Sequence, residues 1–256
     1  MRKLNFVYTI LIGFIVLFTT SKVVHAQRDK IDAKLFIGGG ALPEEMYAEF
    51  LKLTGPDTKL VVVPTASSRE VDEEKIKELW QSRGFSEISV LHTRDPKIAS
   101  EPEFSESLRN ATALWFNGGS QQRIADAYLG TGVENEVYEL LKRGGVVGGS
   151  SAGAAIMTRV MISGGQTEPE ITTGFELLPN ALLDQHFLRR NRLARLIAGV
   201  RAHPDLIGYG IDEGTAIVVA NNEYKVVGNS YVMRIELVDG AIKIDAYEDG
   251  EVIPQI

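Results

Sequence analysis

Five residues near the middle of the chain, Gly149-Ser150-Ser151-Ala152-Gly153, carry the spacing G-x-S-x-G with Ser151 at its centre. The run GGVV before them is apolar, and AGAAIM after Ser151 can start a helix. Strand, tight turn and helix in that order form a nucleophile elbow: the turn projects the central side chain, and the glycines keep its neighbours from clashing. The chemistry such a serine performs is acyl transfer, which needs a base for the hydroxyl proton and N–H donors for the oxyanion. Ser150, at the x position, turns toward the core in this reading. The competing reading is a turn of small residues that packs a helix close to a sheet.

Two oxyanion donors suggest themselves. The N–H of Ala152 stands at the helix start, and Gly118 and Gly119 in FNGGSQQ let the backbone approach a ligand closely. The double glycine taken alone is equally a plain turn. A third glycine turn, GGGALPEE at 38–45, lacks the G-x-G-x-x-G spacing because Pro43 stands at its last position. It reads as a sharp strand-to-helix turn more than as a phosphate cradle.

The base must come from four histidines. His25 falls in MRKLNFVYTILIGFIVLFTTSKVVHAQ, where a basic start, an apolar run from about Phe6 to Phe18 and small residues at Val24 and Ala26 read as a secretory signal peptide, residues 1–26. The apolar run is shorter than the ~20 residues a spanning helix needs, so an uncleaved membrane anchor is the lesser alternative. His92 ends a strand, and His203 precedes Pro204 in a helix-ending context. His186 lies in LLDQHFLRRNRLARLI, polar residues crowded between apolar flanks, and is the best base. Four arginines follow it, 189, 190, 192 and 195, at the start of an expected helix. In an acidic chain such a cluster suits a substrate carboxylate held by bidentate pairing, or is a solvated basic face.

Around these residues, apolar β-rich runs alternate with amphipathic stretches. AKLFIGGG, KLVVVPTASS, ISVLH, ALWFNGG and GVVGG read as strands; PEEMYAEFLKLTG, REVDEEKIKELWQSRGF, SQQRIADAYLG and ENEVYELLKRG carry helices. This order predicts an α/β fold, a mostly parallel sheet flanked by helices on both faces. Ligands of such a sheet gather at the carboxyl ends of its strands, where all three glycine turns fall. After residue 205, LIGYGI, TAIVVA, EYKVVG, SYVMRIEL and AIKIDAY predict β-hairpins at the sheet edge, turning at NN and DG. Residues 27–256 then form a single α/β domain.

The formal charge of −7 becomes three units more negative without Arg2, Lys3 and Lys22 of the signal segment, which argues against a nucleic-acid partner. No cysteine is present, which excludes a thiolate nucleophile, a thiolate metal site and disulfide support. No histidine pair has the spacing of a metal site.

GGSSAGAA together with DQHFLRRNRLARL resembles the cyanophycinases, serine peptidases grouped with the aspartyl dipeptidases of the peptidase E type. FIGGG, VVVPTASS, FNGGSQ, GFELLPNALLDQHF and GIDEGTAIVV occur in that family's order over most of the chain. The elbow alone would not separate this group from the α/β-hydrolases, but the D-Q-H-F block with its spaced arginines is more specific. No histidine follows His203, whereas an α/β-hydrolase esterase usually places its base near the C-terminus.

The resemblance implies a fold similar to the class I glutamine amidotransferases, with serine in place of their cysteine. It assigns Ser151 as nucleophile and His186 as base, and places Gln121, Asp184, Gln185, Arg190, Arg192 and Arg195 in the substrate site. It implies hydrolysis of cyanophycin, a polyaspartate bearing arginine on its side-chain carboxyls, to β-Asp-Arg dipeptides, with no cofactor and no metal. With the signal peptide, it implies a secreted or periplasmic enzyme, free of the membrane after cleavage, in a family that commonly forms homodimers. A dipeptidase for short Asp-Xaa peptides uses the same machinery, and an exported binding protein that has lost catalysis is the non-enzymatic alternative. Two departures stand out: Ser120 follows the double glycine where relatives often carry an acid, and the segment from Ser151 to Asp184 is short. The residue that orients the histidine is expected in that segment, at Glu168 or Glu170, with Glu176 a weaker candidate.

Overall fold

The computed structural model describes residues 33–255, so the signal-peptide segment lies outside the described residues. Five strands form the parallel centre of an eight-stranded sheet: β1 (Lys34–Gly38), β2 (Lys59–Val63), β3 (Glu87–Val90), β4 (Ala113–Phe116) and β5 (Val146–Ser150), in spatial order β1-β5-β4-β2-β3. Helices α1 (Glu44–Thr54) and α2 (Glu73–Ser82) cover one face. The short α3 (Pro96–Ala99) and α4 (Glu106–Arg109), with α5 (Gln121–Tyr128), α6 (Gly132–Lys142) and the single turn α7 (Ala152–Ala155), cover the other.

Alternation along the strands sorts the core. Leu35, Ile37, Val61, Val63, Leu114 and Phe116 face α5 to α7, while Phe36, Leu60, Val62 and Trp115 meet Met46, Phe50 and Trp80 of α1 and α2. Because both faces are covered, these strands are apolar at nearly every position, as the sequence reading expects. Helix α1 begins after Pro43 with Glu44 and Glu45 in its first turn and ends at Gly55, whose φ of 87° closes the last turn through an N–H bond to Leu51 O.

Beyond β5 the chain builds further sheets. β6 (Val160–Gly164) and β7 (Glu170–Thr173) form a hairpin that the helical reading of AGAAIM does not foresee. β8 (Ala181–Gln185) and β9 (Ile207–Ile211) pair in parallel, with α8 (Leu193–Ala202) between them in sequence. The C-terminal strands then divide. β10 (Thr215–Ala220), β11 (Glu223–Gly228) and β14 (Val252–Ile253) extend the large sheet antiparallel at the β1 edge, whereas β12 (Val232–Val238) and β13 (Ala241–Tyr247) join β9 and β8 in a four-stranded sheet. Both expected turns are present: Asn221 and Asn222 link β10 to β11 and Asp239 and Gly240 link β12 to β13, all four at positive φ, as a two-residue hairpin turn requires.

Candidate active site

Register places the chemistry. β1 and β5 pair with Gly38 opposite Ser150, so Gly39 and Ser151 leave the sheet side by side. β8 and β9 pair with Gln185 opposite Ile211, so His186 and Asp212 do the same in the second sheet. Residues 38–40 are the seam between the two sheets. Gly38 O accepts from Ser151 N at 2.9 Å, Gly39 O from His186 N at 2.8 Å, and Gly40 O from Gly214 N at 2.9 Å. The glycine turn read from sequence as a strand-to-helix connection thus draws together the three segments that carry polar side chains.

At the elbow, Ser151 has φ 56° and ψ −109°, a strained conformation for a non-glycine residue that projects its side chain out of the sheet end. A Cβ on Gly149 would lie 2.3 Å from Gly153 O, and one on Gly153 would lie 2.0 Å from Phe116 O. Only hydrogen fits at either position, which is the steric reason for the G-x-S-x-G spacing. Ser151 Oγ and His186 Nε2 are 2.8 Å apart, and His186 Nδ1 and Glu213 Oε1 are 2.7 Å apart. The result is a continuous hydrogen-bonded chain of serine, imidazole and carboxylate. Nδ1 donates to the carboxylate, which leaves Nε2 unprotonated toward the serine hydroxyl. His186 is itself at φ 51°, so its side chain turns away from the direction of β8.

Burial is the largest influence on His186 and pushes its pKa below 6.5; the hydrogen bond it donates to Glu213 opposes this, and the cations Arg190 and Arg192 add to it. The neutral imidazole that accepts a proton is therefore the resting form at neutral pH.

The carboxylate on His186 is not one of those expected from sequence. Glu168 and Glu170 belong to the β6–β7 hairpin, where Glu170 closes over Gly164, and Glu176 pairs with Arg159 at 3.7 Å; the group on His186 Nδ1 is Glu213. The expectation covers only the segment between Ser151 and Asp184. Glu213 instead follows the strand parallel to the one that ends at His186. The signal available was GIDEGTAIVV, a further strand end with an acid pair and a glycine.

Gly118 faces Ser151: a Cβ there would stand 3.6 Å from Ser151 Cβ. The N–H groups of Gly118, Gly119 and Ala152 make no hydrogen bond among the described residues. The double-glycine turn is held from behind, where Ser120 N and Arg123 Nη1 both donate to Ala66 O at 2.9 Å.

The substrate-site expectation divides in two. Asp184 is fully buried, with both oxygens on Arg195 and a further bond from Arg192 Nη1 at 3.2 Å. Arg195 is 5% exposed, and its remaining nitrogen donates to Gly165 O at 2.7 Å. Gln185 is buried, and Gln121 donates to Ile162 O at 2.8 Å. These four side chains bind the protein itself: Gln121 and Arg195 both donate to carbonyls of the β6–β7 hairpin, and Gln185 to Leu183 O. Arg190 is exposed and Arg192 half-buried, and their charges act on His186. The arginines do not open the helix as expected; Arg189, Arg190 and Arg192 lie in the turn before α8, with Arg192 at its N-cap. Among the described residues, no three His, Asp or Glu side chains converge as a metal site, and no helix is long and apolar enough to cross a membrane.

The fold defines the class: an α/β protein similar to the class I glutamine amidotransferases, with Ser151 at the tight turn between β5 and α7. Residues 35–227 match Peptidase family S51, and the chain belongs to that family. It is 32% identical over 196 residues to a cyanophycinase of Geminocystis herdmanii, covering 73% of this chain and 71% of that protein. It is 35% identical over 193 residues to a cyanophycinase of Synechococcus elongatus, covering 71% of this chain and 60% of that longer protein. Among solved structures, a peptidase from an acI-B1 Actinobacterium superposes with a TM-score of 0.66 at 26% identity, over 87% of this chain and 97% of the other. A peptidase E protein of Listeria monocytogenes shares the fold with a TM-score of 0.57 at 21% identity, over 77% of this chain and 99% of the other.

Proposed function

We propose that this chain is an exported serine peptidase that hydrolyses cyanophycin to β-Asp-Arg dipeptides through an acyl-enzyme on Ser151. The observation that carries the reading is the chain of 2.8 Å and 2.7 Å hydrogen bonds from Ser151 through His186 to Glu213, beside unpaired backbone N–H groups. His186 Nε2 takes the hydroxyl proton as Oγ bonds to the aspartyl carbonyl carbon, and the N–H groups of Ala152 and the Gly118–Gly119 turn hold the oxyanion. The proton passes from His186 to the leaving amine as the C–N bond breaks. Water then gives a proton to His186 and its oxygen to the acyl carbon, and the proton returns to Ser151 as the acid leaves. Glu213 fixes the imidazole tautomer and stabilises the imidazolium formed in each half.

Cyanophycin as substrate draws support from relatives named cyanophycinase and from two cations, Arg190 and Arg192, beside His186. The polymer's terminal carboxylate would pair with the exposed Arg190, with the half-buried Arg192, whose Nη1 is already held by Asp184 and Gln185 O, adding its charge. Export rests on the signal-peptide pattern at 1–26.

The test incubates the mature chain, from Gln27, with a cyanophycin suspension beside Ser151→Ala, following clearing and dipeptide release. Clearing by the wild type alone, with a loss of about 10⁴-fold or more in the variant, supports the reading. Equal clearing by both overturns the nucleophile assignment. If neither clears but a serine-directed phosphonate labels Ser151, the substrate moves to short aspartyl peptides; no labelling leaves a binding role.

A further inference from the structure

We infer that Asp212 is a positioning residue that locks the turn carrying His186 to the loop carrying Glu213; this rests on the serine–histidine–glutamate reading above. The need for such a lock follows from the topology. β8 and β9 run parallel and stop at Gln185 and Ile211, so the ladder that registers them ends where the functional residues begin. His186 bends away at φ 51°, and residues 187–191 form turns closed within themselves by Arg190 N to His186 O and Asn191 N to Leu188 O. Internal turn bonds hold the shape of that segment but not its orientation toward Glu213.

Besides the His186–Glu213 bond itself, two bonds cross from the turn to the β9 end and the 212–214 loop. Phe187 N donates to Ile211 O at 3.2 Å, and Arg189 N donates to Asp212 Oδ1 at 2.9 Å. The second oxygen, Oδ2, accepts from Ser230 Oγ at 2.8 Å, and Asp212 N donates to Tyr231 O at 3.2 Å. Asp212 is 9% exposed and therefore has a fixed environment. It grips the base's turn with one oxygen and the entry to β12 with the other. Its neighbour Glu213 points to His186. Both bonds of the proposed proton path are near 2.8 Å, so a displacement of about 1 Å in the turn would break them, a change that costs about 100-fold in comparable sites.

The rate at which a serine-directed phosphonate labels Ser151 reads this alignment without assuming a substrate. Asp212→Ala should lower the maximal labelling rate by about 10- to 100-fold while leaving the concentration for half-maximal rate unchanged. Asp212→Asn, whose oxygen still accepts from Arg189 N and whose amide donates to Ser230 Oγ, should label at nearly the wild-type rate. In a Glu213→Gln background, Asp212→Ala should add almost nothing, because the group it aligns is already lost. Losses that multiply in the double variant, or an asparagine variant as slow as alanine, would overturn the inference. Should the alanine variant fail to fold, Asp212→Glu, with its carboxylate displaced by one methylene, gives the same comparison. Wild-type labelling by Glu213→Gln itself would instead sink the underlying reading of the site, and the inference with it.

Discussion

Asp184 and Arg195 satisfy each other: Nε and Nη2 of the guanidinium meet the two carboxylate oxygens, and Nη1 reaches Gly165 O. Asp184 is fully buried, and burial raises its pKa despite the two cations beside it. A pair of this kind engages all three guanidinium nitrogens of Arg195 within the protein. Arg195→Met should therefore destabilise the protein by about 3–5 kcal/mol, because it leaves the buried Asp184 carboxylate with only the 3.2 Å bond from Arg192. Adding Asp184→Leu should restore much of that loss. The check is a pair of thermal melts with activity at low temperature. A large rise in KM for Arg195→Met with an unchanged melting curve would return Arg195 to the substrate.

Much of this arrangement was legible in the sequence, and the parts that were not have a common cause. Ser151 and His186 lie in local patterns, a G-x-S-x-G turn and a polar block between apolar flanks, and local pattern is what sequence displays. The parallel centre of the sheet followed from its apolar strands in the same way. Glu213 reaches His186 only through the parallel pairing of β8 and β9, a contact made across 27 residues that no spacing rule records. The same limit applies to Arg195 and Gln121. Residue type announces a carboxylate binder or an amide ligand, but the partner Asp184 is set by the placement of β8, and Gly165 and Ile162 by how the β6–β7 hairpin folds back. That hairpin was itself hidden, because one helical turn after Ser151 looks in sequence like the start of a longer helix.

Acid should switch the enzyme off below the range expected for an ordinary histidine. Burial, then Arg190 and Arg192, hold His186 below 6.5, against the opposing hydrogen bond of Glu213. The second-order rate of hydrolysis or phosphonate labelling should rise with pH through an apparent pKa under 6.5 and then level off. Removing a nearby cation relieves part of the depression, so Arg190→Gln should move this acid limb to higher pH. Glu213→Gln should move it to lower pH while dropping the plateau. The same sign holds for stability. The unfolded chain binds a proton at 6.5 that the folded chain resists, so His186 contributes stability above that pH and loses it as pH falls through the folded value. An acid limb above 6.5, or one that Arg190→Gln moves downward, would contradict the electrostatics.

Gly40 offers the sharpest steric test of the seam. Its φ of 115° disfavours any side chain, and a Cβ there would come within 2.2 Å of His186 Cε1 and 2.6 Å of Nε2. The imidazole cannot yield without leaving both Ser151 and Glu213, since each ring nitrogen is already bonded. Gly40→Ala should therefore reduce turnover by about 100-fold or more, a loss set by displacement of the base. Gly55→Ala is the matched control. It also occupies positive φ, at 87°, but a Cβ there meets nothing within 4 Å, so it carries the backbone strain without the collision. Both variants should melt earlier than the wild type, and only Gly40→Ala should lose activity when assayed well below its melting point. Equal activity in the two would mean that the ring has room to move and that the hydrogen-bonded chain through His186 does not set the rate.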